Sequence, residues 1–79
     1  MLKPTKHLNP KSSVLNIAAH ALKLLANHRT ILYDELYVRL EKRFGNELRP
    51  VFLPAISFLY LLGMVEYHTK NDSFEYRAI

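Results

Sequence analysis

The sequence has no cysteine and only two glycines, Gly45 and Gly63. The lack of cysteine excludes disulfide frameworks, thiolate nucleophiles and cysteine-based zinc sites. Two isolated glycines are too few for a glycine-rich loop that binds phosphate. Long apolar runs are also missing: residues 51–65 are interrupted by Pro54, Ser57 and Gly63, and they fall short of the ~20 residues that a membrane-spanning helix needs.

We also expect no secretory signal, because no apolar segment follows the positive charges of residues 1–6. Without cysteine or a signal, we expect a cytoplasmic protein that does not contact a membrane. A chain of 79 residues, 49% of them hydrophobic, forms one small domain with a modest core.

The positive charge is concentrated at the N-terminus. Of the net charge of +4, Lys3, Lys6 and Lys11 supply +3 within residues 1–11, and the other eight basic and seven acidic residues leave +1 on residues 12–79. We therefore divide the chain into a basic arm, residues 1–11, and a folded domain, residues 12–79. The arm has the charge to bind phosphates, but three lysines are also typical of an ordinary solvated terminus.

The hydrophobic pattern predicts an amphipathic helix from Ser12 or Ser13 to Asn27, since its apolar residues recur every three or four positions. A short strand at residues 30–32 follows. Asp34 and Glu35 open a second helix that ends at Gly45.

A third helix is predicted for residues 50–62 and ends at Gly63; because of Pro54, its regular part is expected to begin near Leu53. Residues 64–69 and 74–77 alternate apolar and polar side chains around a turn at residues 70–73, the pattern of a β-hairpin. The predicted fold is α+β: a winged helix-turn-helix with three helices, one short strand, a C-terminal hairpin as the wing, and an extended N-terminal arm.

The third helix is apolar on every side. A helical wheel with Val51, Ala55, Phe58 and Leu62 facing the core places Leu53, Ile56 and Tyr60 on the far side. A DNA-reading helix needs polar side chains there. We predict that Leu53, Ile56 and Tyr60 bind a partner protein; the alternatives are that the arm covers this face or that the face contacts DNA.

The wing is poorly suited to DNA, because Lys70 and Arg77 are outnumbered there by Glu66, Asp72 and Glu75. If nucleic acid is bound, we expect only weak or indirect contact. The residues available for such contact are Lys11, Lys70 and Arg77.

Catalytic and metal-binding patterns are not recognisable along the chain. The four histidines, His7, His20, His28 and His68, form no i, i+4 pair, and none has a carboxylate at ligand spacing. We expect Ser12 and Ser13 to be helix caps rather than nucleophiles. We therefore expect no enzyme activity, no cofactor and no metal site.

Several stretches of the sequence resemble a known family of small bacterial proteins. They are KPTKHLNP at residues 3–10, YDEL at 33–36, VFLPA at 51–55, FLYLLG at 58–63 and DSFEY at 72–76. These stretches are similar to those of middle component 6 of the ABC-three component systems. The resemblance covers nearly the whole chain, including the arm.

This resemblance implies a winged-helix adaptor between an ABC-type ATPase and a larger third component, in a system that acts against phages or other invading DNA. It also implies that the arm is docked, with Lys3, Lys6 and His7 contacting an acidic partner surface or DNA held by the ATPase. Two alternatives remain open: a small winged-helix DNA-binding regulator, with or without dimerisation through the third helix, and a homodimer with no other partner.

Overall fold

The computed structural model describes residues 14–77. The arm, the predicted capping residues Ser12 and Ser13, and the predicted site residues Lys3, Lys6, His7 and Lys11 lie outside this range. In chain order, the described elements are helix α1 (Val14–His28), strand β1 (Thr30–Leu32), helix α2 (Tyr33–Phe44), a 3₁₀ turn (Gly45–Leu48), helix α3 (Arg49–Leu61), strand β2 (Val65–His68) and strand β3 (Ser73–Tyr76).

The predicted α+β winged-helix architecture is confirmed. The three strands form one antiparallel sheet in the order β1-β3-β2, so the short strand pairs with the wing. Ile31 of β1 and Tyr67 of β2 both lie opposite Phe74. Helices α2 and α3, joined by the 3₁₀ turn, form the helix-turn-helix, and α1 packs across α3.

The core lies between the three helices and one face of the sheet. Its buried members come from every element: Ile17, Ala18, Ala21, Leu25, Ile31, Leu36, Leu40, Phe44, Leu48, Phe52, Ala55, Ile56, Leu59, Val65 and Phe74. Phe52 is central, because the rings of Tyr33 and Tyr37 meet it edge-on at 5.3 and 5.0 Å between centroids. These edge-to-face contacts join α2 to α3 and fix how α3 is rotated about its axis.

Helix α3 begins earlier than predicted. It starts at Arg49, so Pro54 lies inside the helix rather than in its first turn. A proline there removes the hydrogen bond to the carbonyl four residues earlier, at Pro50. Pro50 and Pro54 are both exposed, so water can satisfy that carbonyl, and the break is tolerated close to the start of the helix.

The end of α3 is built as the sequence predicts, on Gly63. Gly63 has φ +76°, its N–H donates to the Tyr60 carbonyl at 3.0 Å, and the N–H of Met64 donates to the Leu59 carbonyl at 3.0 Å. This pair of bonds is a Schellman motif, which requires a left-handed residue at the position of Gly63. The chain then turns directly into β2.

Candidate interaction surfaces

The outward side of α3 is an apolar surface. Leu53, Tyr60 and Leu61 are 59%, 58% and 81% exposed, and Phe58 and Leu62 are partly exposed beside them. We call these five residues the outer face of α3. They present on the order of 500 Å² of apolar side chain, which is within the range of the largest apolar patch on a typical monomer (roughly 300–600 Å²).

Charge is absent from this surface, since residues 50–62 contain no Asp, Glu, Lys or Arg. Ser57 is the one polar side chain on its exposed side besides the Tyr60 hydroxyl. A recognition helix reads bases with Arg, Lys, Asn or Gln at these positions. The outer face of α3 therefore lacks the groups that read DNA and has those that pack against another apolar surface.

The structure corrects the predicted rotation of α3. Leu53 and Tyr60 are exposed as predicted, but Ile56 is only 6% exposed and belongs to the core, whereas Phe58 and Leu62 are exposed rather than buried. A helix that is apolar all round gives no sequence signal for its rotation. The contacts of the Tyr33 and Tyr37 rings with Phe52 decide it.

The exposed side of the wing carries a cluster of charged groups. Glu66 on β2 lies directly opposite Glu75 on β3. The His68 Nε2 atom is 2.7 Å from Glu75 Oε1 and 4.0 Å from Glu66 Oε1, and Arg77 Nη1 donates to Glu66 Oε1 at 2.9 Å. We call Glu66, His68 and Glu75 the wing triad; Arg77 adjoins it.

The wing triad was missed by the sequence analysis. Judged by spacing along the chain, no histidine was expected to have a carboxylate at ligand spacing. In the folded protein two carboxylates lie near His68, one from its own strand and one from the paired strand. The hairpin pattern contained the signal: positions 66, 68 and 75 fall on one face when residues 65–68 pair with residues 73–76.

The two predicted nucleic-acid contacts in the wing differ in their surroundings. Arg77 is paired with Glu66 at 2.9 Å, so part of its charge is neutralised within the protein. Lys70 is exposed in the wing turn. Within the described wing, acidic residues therefore still outnumber basic ones, and a phosphate backbone meets little positive charge.

Asp72 connects the wing turn to α2. Its backbone carbonyl accepts a 2.8 Å hydrogen bond from the Tyr33 N–H, and its carboxylate accepts one from the Tyr67 hydroxyl. The hydrogen bond to Asp72 raises the pKa of Tyr67. Burial raises the pKa of Tyr33, and the carboxylates of Asp72 and Asp34 raise it further.

The other described histidines do not join a shared site. His20 packs edge-on against Phe44, with 5.3 Å between ring centroids. Burial lowers the pKa of His20, and the nearby positive charges of Arg43 and Lys23 lower it further. His28 is exposed at the end of α1.

An open groove of about 540 Å³ lies between α2 and the start of α3. It is lined by Tyr33, Asp34, Tyr37, Glu41, Asn46 and Arg49. This lining contains no serine, cysteine or histidine; its ionisable side chains are two carboxylates, two phenols and one guanidinium. Among residues 14–77, no helix has both the length and the apolar character to cross a lipid bilayer.

Comparison with known proteins places the chain in a family. The model of the family "ABC-three component (ABC-3C) system Middle Component 8" matches residues 29–77, more than half of the chain. The chain belongs to this Middle Component 8 family. Its match runs from the residue before β1 to the residue after β3, so it covers the helix-turn-helix and the wing. No curated protein and no solved structure matches the chain.

Membership of the Middle Component 8 family agrees with the predicted group, the ABC-3C middle components. The number within that group does not agree: the comparison supports number 8 and not number 6. The Middle Component 8 match does not reach residues 3–10, which were part of the resemblance to middle component 6.

Proposed function

We propose that this chain is a non-enzymatic adaptor that bridges the other components of an ABC-3C system through the outer face of α3. The partners are an ABC-type ATPase and a larger third component encoded nearby. The system acts in the cytoplasm against phages or other invading DNA. The observation that carries the proposal is the outer face of α3, where Leu53, Tyr60 and Leu61 are each more than half exposed.

The free energy of burying the outer face of α3 supports the adaptor role. Covering on the order of 500 Å² of apolar surface contributes roughly 12 kcal/mol before the costs of association are subtracted, at about 25 cal/mol per Å². Left in water, the same surface promotes aggregation. A partner with an uncharged, apolar surface fits it, because a charge placed against it loses hydration without gaining an ion pair.

Membership in a family of middle components supports the choice of partners, since a component of a multi-part system works with the other parts. The charge of the described domain supports a protein partner over DNA: eight basic and seven acidic residues lie between residues 14 and 77. The remaining three lysines, Lys3, Lys6 and Lys11, are in the arm.

Co-expression with the neighbouring gene products tests the proposal. Leu53→Asp and Tyr60→Asp each leave a folded monomer and abolish co-purification of one component, because they place a charge in the interface. Leu15→Asp is the matched control, as Leu15 is a similarly exposed leucine (65%) on α1, and this variant co-purifies normally. Normal co-purification of both α3 variants would refute the assignment of the interface.

Two further readouts separate the alternatives. Light scattering of the isolated chain detects a homodimer, and loss of that dimer in Leu53→Asp would assign the outer face of α3 to self-association instead. A DNA-binding regulator binds duplex DNA in 50 mM salt and loses affinity steeply as salt is added. The adaptor role predicts weak or undetectable DNA binding by the chain alone.

A further inference from the structure

The wing triad brings three metal-ligand atoms together at the surface. The ligand atoms of Glu66, His68 and Glu75 all lie within 4.8 Å of one another. Their side chains are 46%, 41% and 39% exposed, so each is held by the strand pairing and still reaches water. The triad is separate from the outer face of α3, which belongs to another element.

The pairing of Glu66 with Glu75 places two negative charges directly opposite each other. Like charges directly opposite each other on antiparallel strands destabilise the pair. The imidazole of His68 and the guanidinium of Arg77 are the groups that meet these carboxylates, at 2.7 and 2.9 Å. A divalent cation bound between the two carboxylates offsets the repulsion between them.

The spacing suits a small tetrahedral ion. Zinc binds imidazole nitrogen and carboxylate oxygen at 2.0–2.2 Å, which puts neighbouring ligand atoms about 3.3 Å apart. The His68 Nε2 atom lies 2.7 Å from one carboxylate oxygen and 4.0 Å from the other, on either side of that value. Equal distances require the side chains to move, and all three are more than a third exposed.

We propose that the wing triad binds Zn²⁺, with His68 Nε2 and one oxygen each from Glu66 and Glu75 as ligands and water in the fourth position. A ligand set of one imidazole and two carboxylates favours zinc over magnesium and calcium, which prefer oxygen ligands alone and in larger number. Bound zinc joins β2 to β3 and stiffens the wing. The proposal is independent of the bridging role of α3.

Arg77 competes with the metal in this arrangement. Its guanidinium holds Glu66 at 2.9 Å, so zinc displaces it or shares that carboxylate. Removing the guanidinium therefore strengthens zinc binding, provided that Glu66 is a ligand.

Isothermal titration of the full chain with ZnCl₂ at pH 7.5 tests the site. We expect saturable binding of one ion that weakens at least tenfold in His68→Gln and Glu75→Gln and strengthens several-fold in Arg77→Gln. His20→Gln and His28→Gln are matched controls with unchanged affinity, and His7→Gln controls for the arm. In ¹⁵N-correlated NMR spectra, zinc shifts the amides of residues 65–68 and 73–76.

Three results of the zinc titrations would overturn the proposal. They are wild-type affinity in His68→Gln, a loss of binding in His7→Gln or His28→Gln in place of the triad variants, and no saturable binding at millimolar zinc. Circular dichroism of each variant verifies that a lost signal does not come from unfolding. Titration with MgCl₂ completes the design, and binding as strong as that of zinc would contradict the imidazole ligand.

Discussion

The N–H of Tyr33, the first residue of α2, donates a 2.8 Å hydrogen bond to the backbone carbonyl of Asp72 in the wing turn. Tyr33 also stacks on Phe74, with 5.5 Å between the ring centroids. The wing is therefore fixed to the start of the helix-turn-helix by a backbone bond and a ring contact. These two contacts join the wing to the α2–α3 unit, which carries the outer face of α3.

The Asp72 carboxylate raises the pKa of Tyr67 and contributes to the raised pKa of Tyr33. We predict that Asp72→Asn lowers both pKa values towards 10.0, the ordinary value for tyrosine. Asparagine is the suitable replacement because it tolerates the φ of +54° found at Asp72. Tyrosinate absorbance against pH measures the change.

The raised pKa values of Tyr33 and Tyr67 determine how the stability of the fold changes with pH. The neutral phenol is favoured in the folded state, so this contribution is fully present below pH 10 and disappears as pH rises through the folded-state pKa values. The unfolding free energy of the wild type should therefore fall more steeply above pH 10 than that of Asp72→Asn. Identical alkaline profiles would contradict the role of the carboxylate.

His20 gives the opposite pH dependence. Its pKa is lowered by burial and by Arg43 and Lys23, so the unfolded chain takes up the proton first as pH falls below 6.5. This contribution to stability is present above pH 6.5 and is lost as pH falls through the folded-state pKa. We predict that His20→Gln flattens the decline in unfolding free energy between pH 7 and pH 5. An unchanged slope would show that other groups cause it.

The rotation of α3 is tested by a pair of alanine variants. Ile56→Ala removes a buried side chain and should lower the unfolding free energy by about 2–5 kcal/mol. Leu53→Ala removes an exposed one and should change it by less than about 0.5 kcal/mol. Urea denaturation measures both. Equal effects would mean that Leu53 and Ile56 are similarly buried.

Substitutions at Gly63 test how α3 ends. Gly63 has φ at +76°, and no atom lies within 4 Å of a Cβ added there. The Gly63→Ala substitution therefore causes no clash, and its only cost is the strain of an alanine in the left-handed conformation. We expect a loss of about 1–2 kcal/mol, and a smaller loss for Gly63→Asn, since asparagine adopts this conformation more readily. Thermal unfolding of the two variants gives the comparison, and a neutral Gly63→Ala would argue against the Schellman motif.

Local sequence patterns were sufficient to predict most of the helices and strands. The spacing of the apolar residues predicted the C-terminal end of α1 to within one residue. The alternation of apolar and polar side chains predicted both wing strands. Gly45 and Gly63 end α2 and α3 where a left-handed residue is needed. Each of these signals lies within a few residues of the feature it specifies.

Tertiary contacts determined what the sequence left open. The rotation of α3 about its axis depends on which side chains of α2 contact Phe52. Because α3 is apolar on all sides, its own sequence does not predict that rotation. The wing triad depends on strand register, which brings Glu66 opposite Glu75 although nine positions separate them. Spacing along the chain alone therefore identified Leu53 and Tyr60 as exposed, misplaced Ile56 and overlooked His68.

The most direct test of the central claim is photo-crosslinking in the assembled system. A photo-reactive phenylalanine analogue in place of Leu61, the most exposed residue of the outer face of α3, is compared with the same analogue in place of Leu15 on α1. We predict a crosslink from position 61 to the ATPase or the third component and none from position 15. Crosslinks from position 61 only to a second copy of this chain, or no crosslink from it at all, would contradict the adaptor interface.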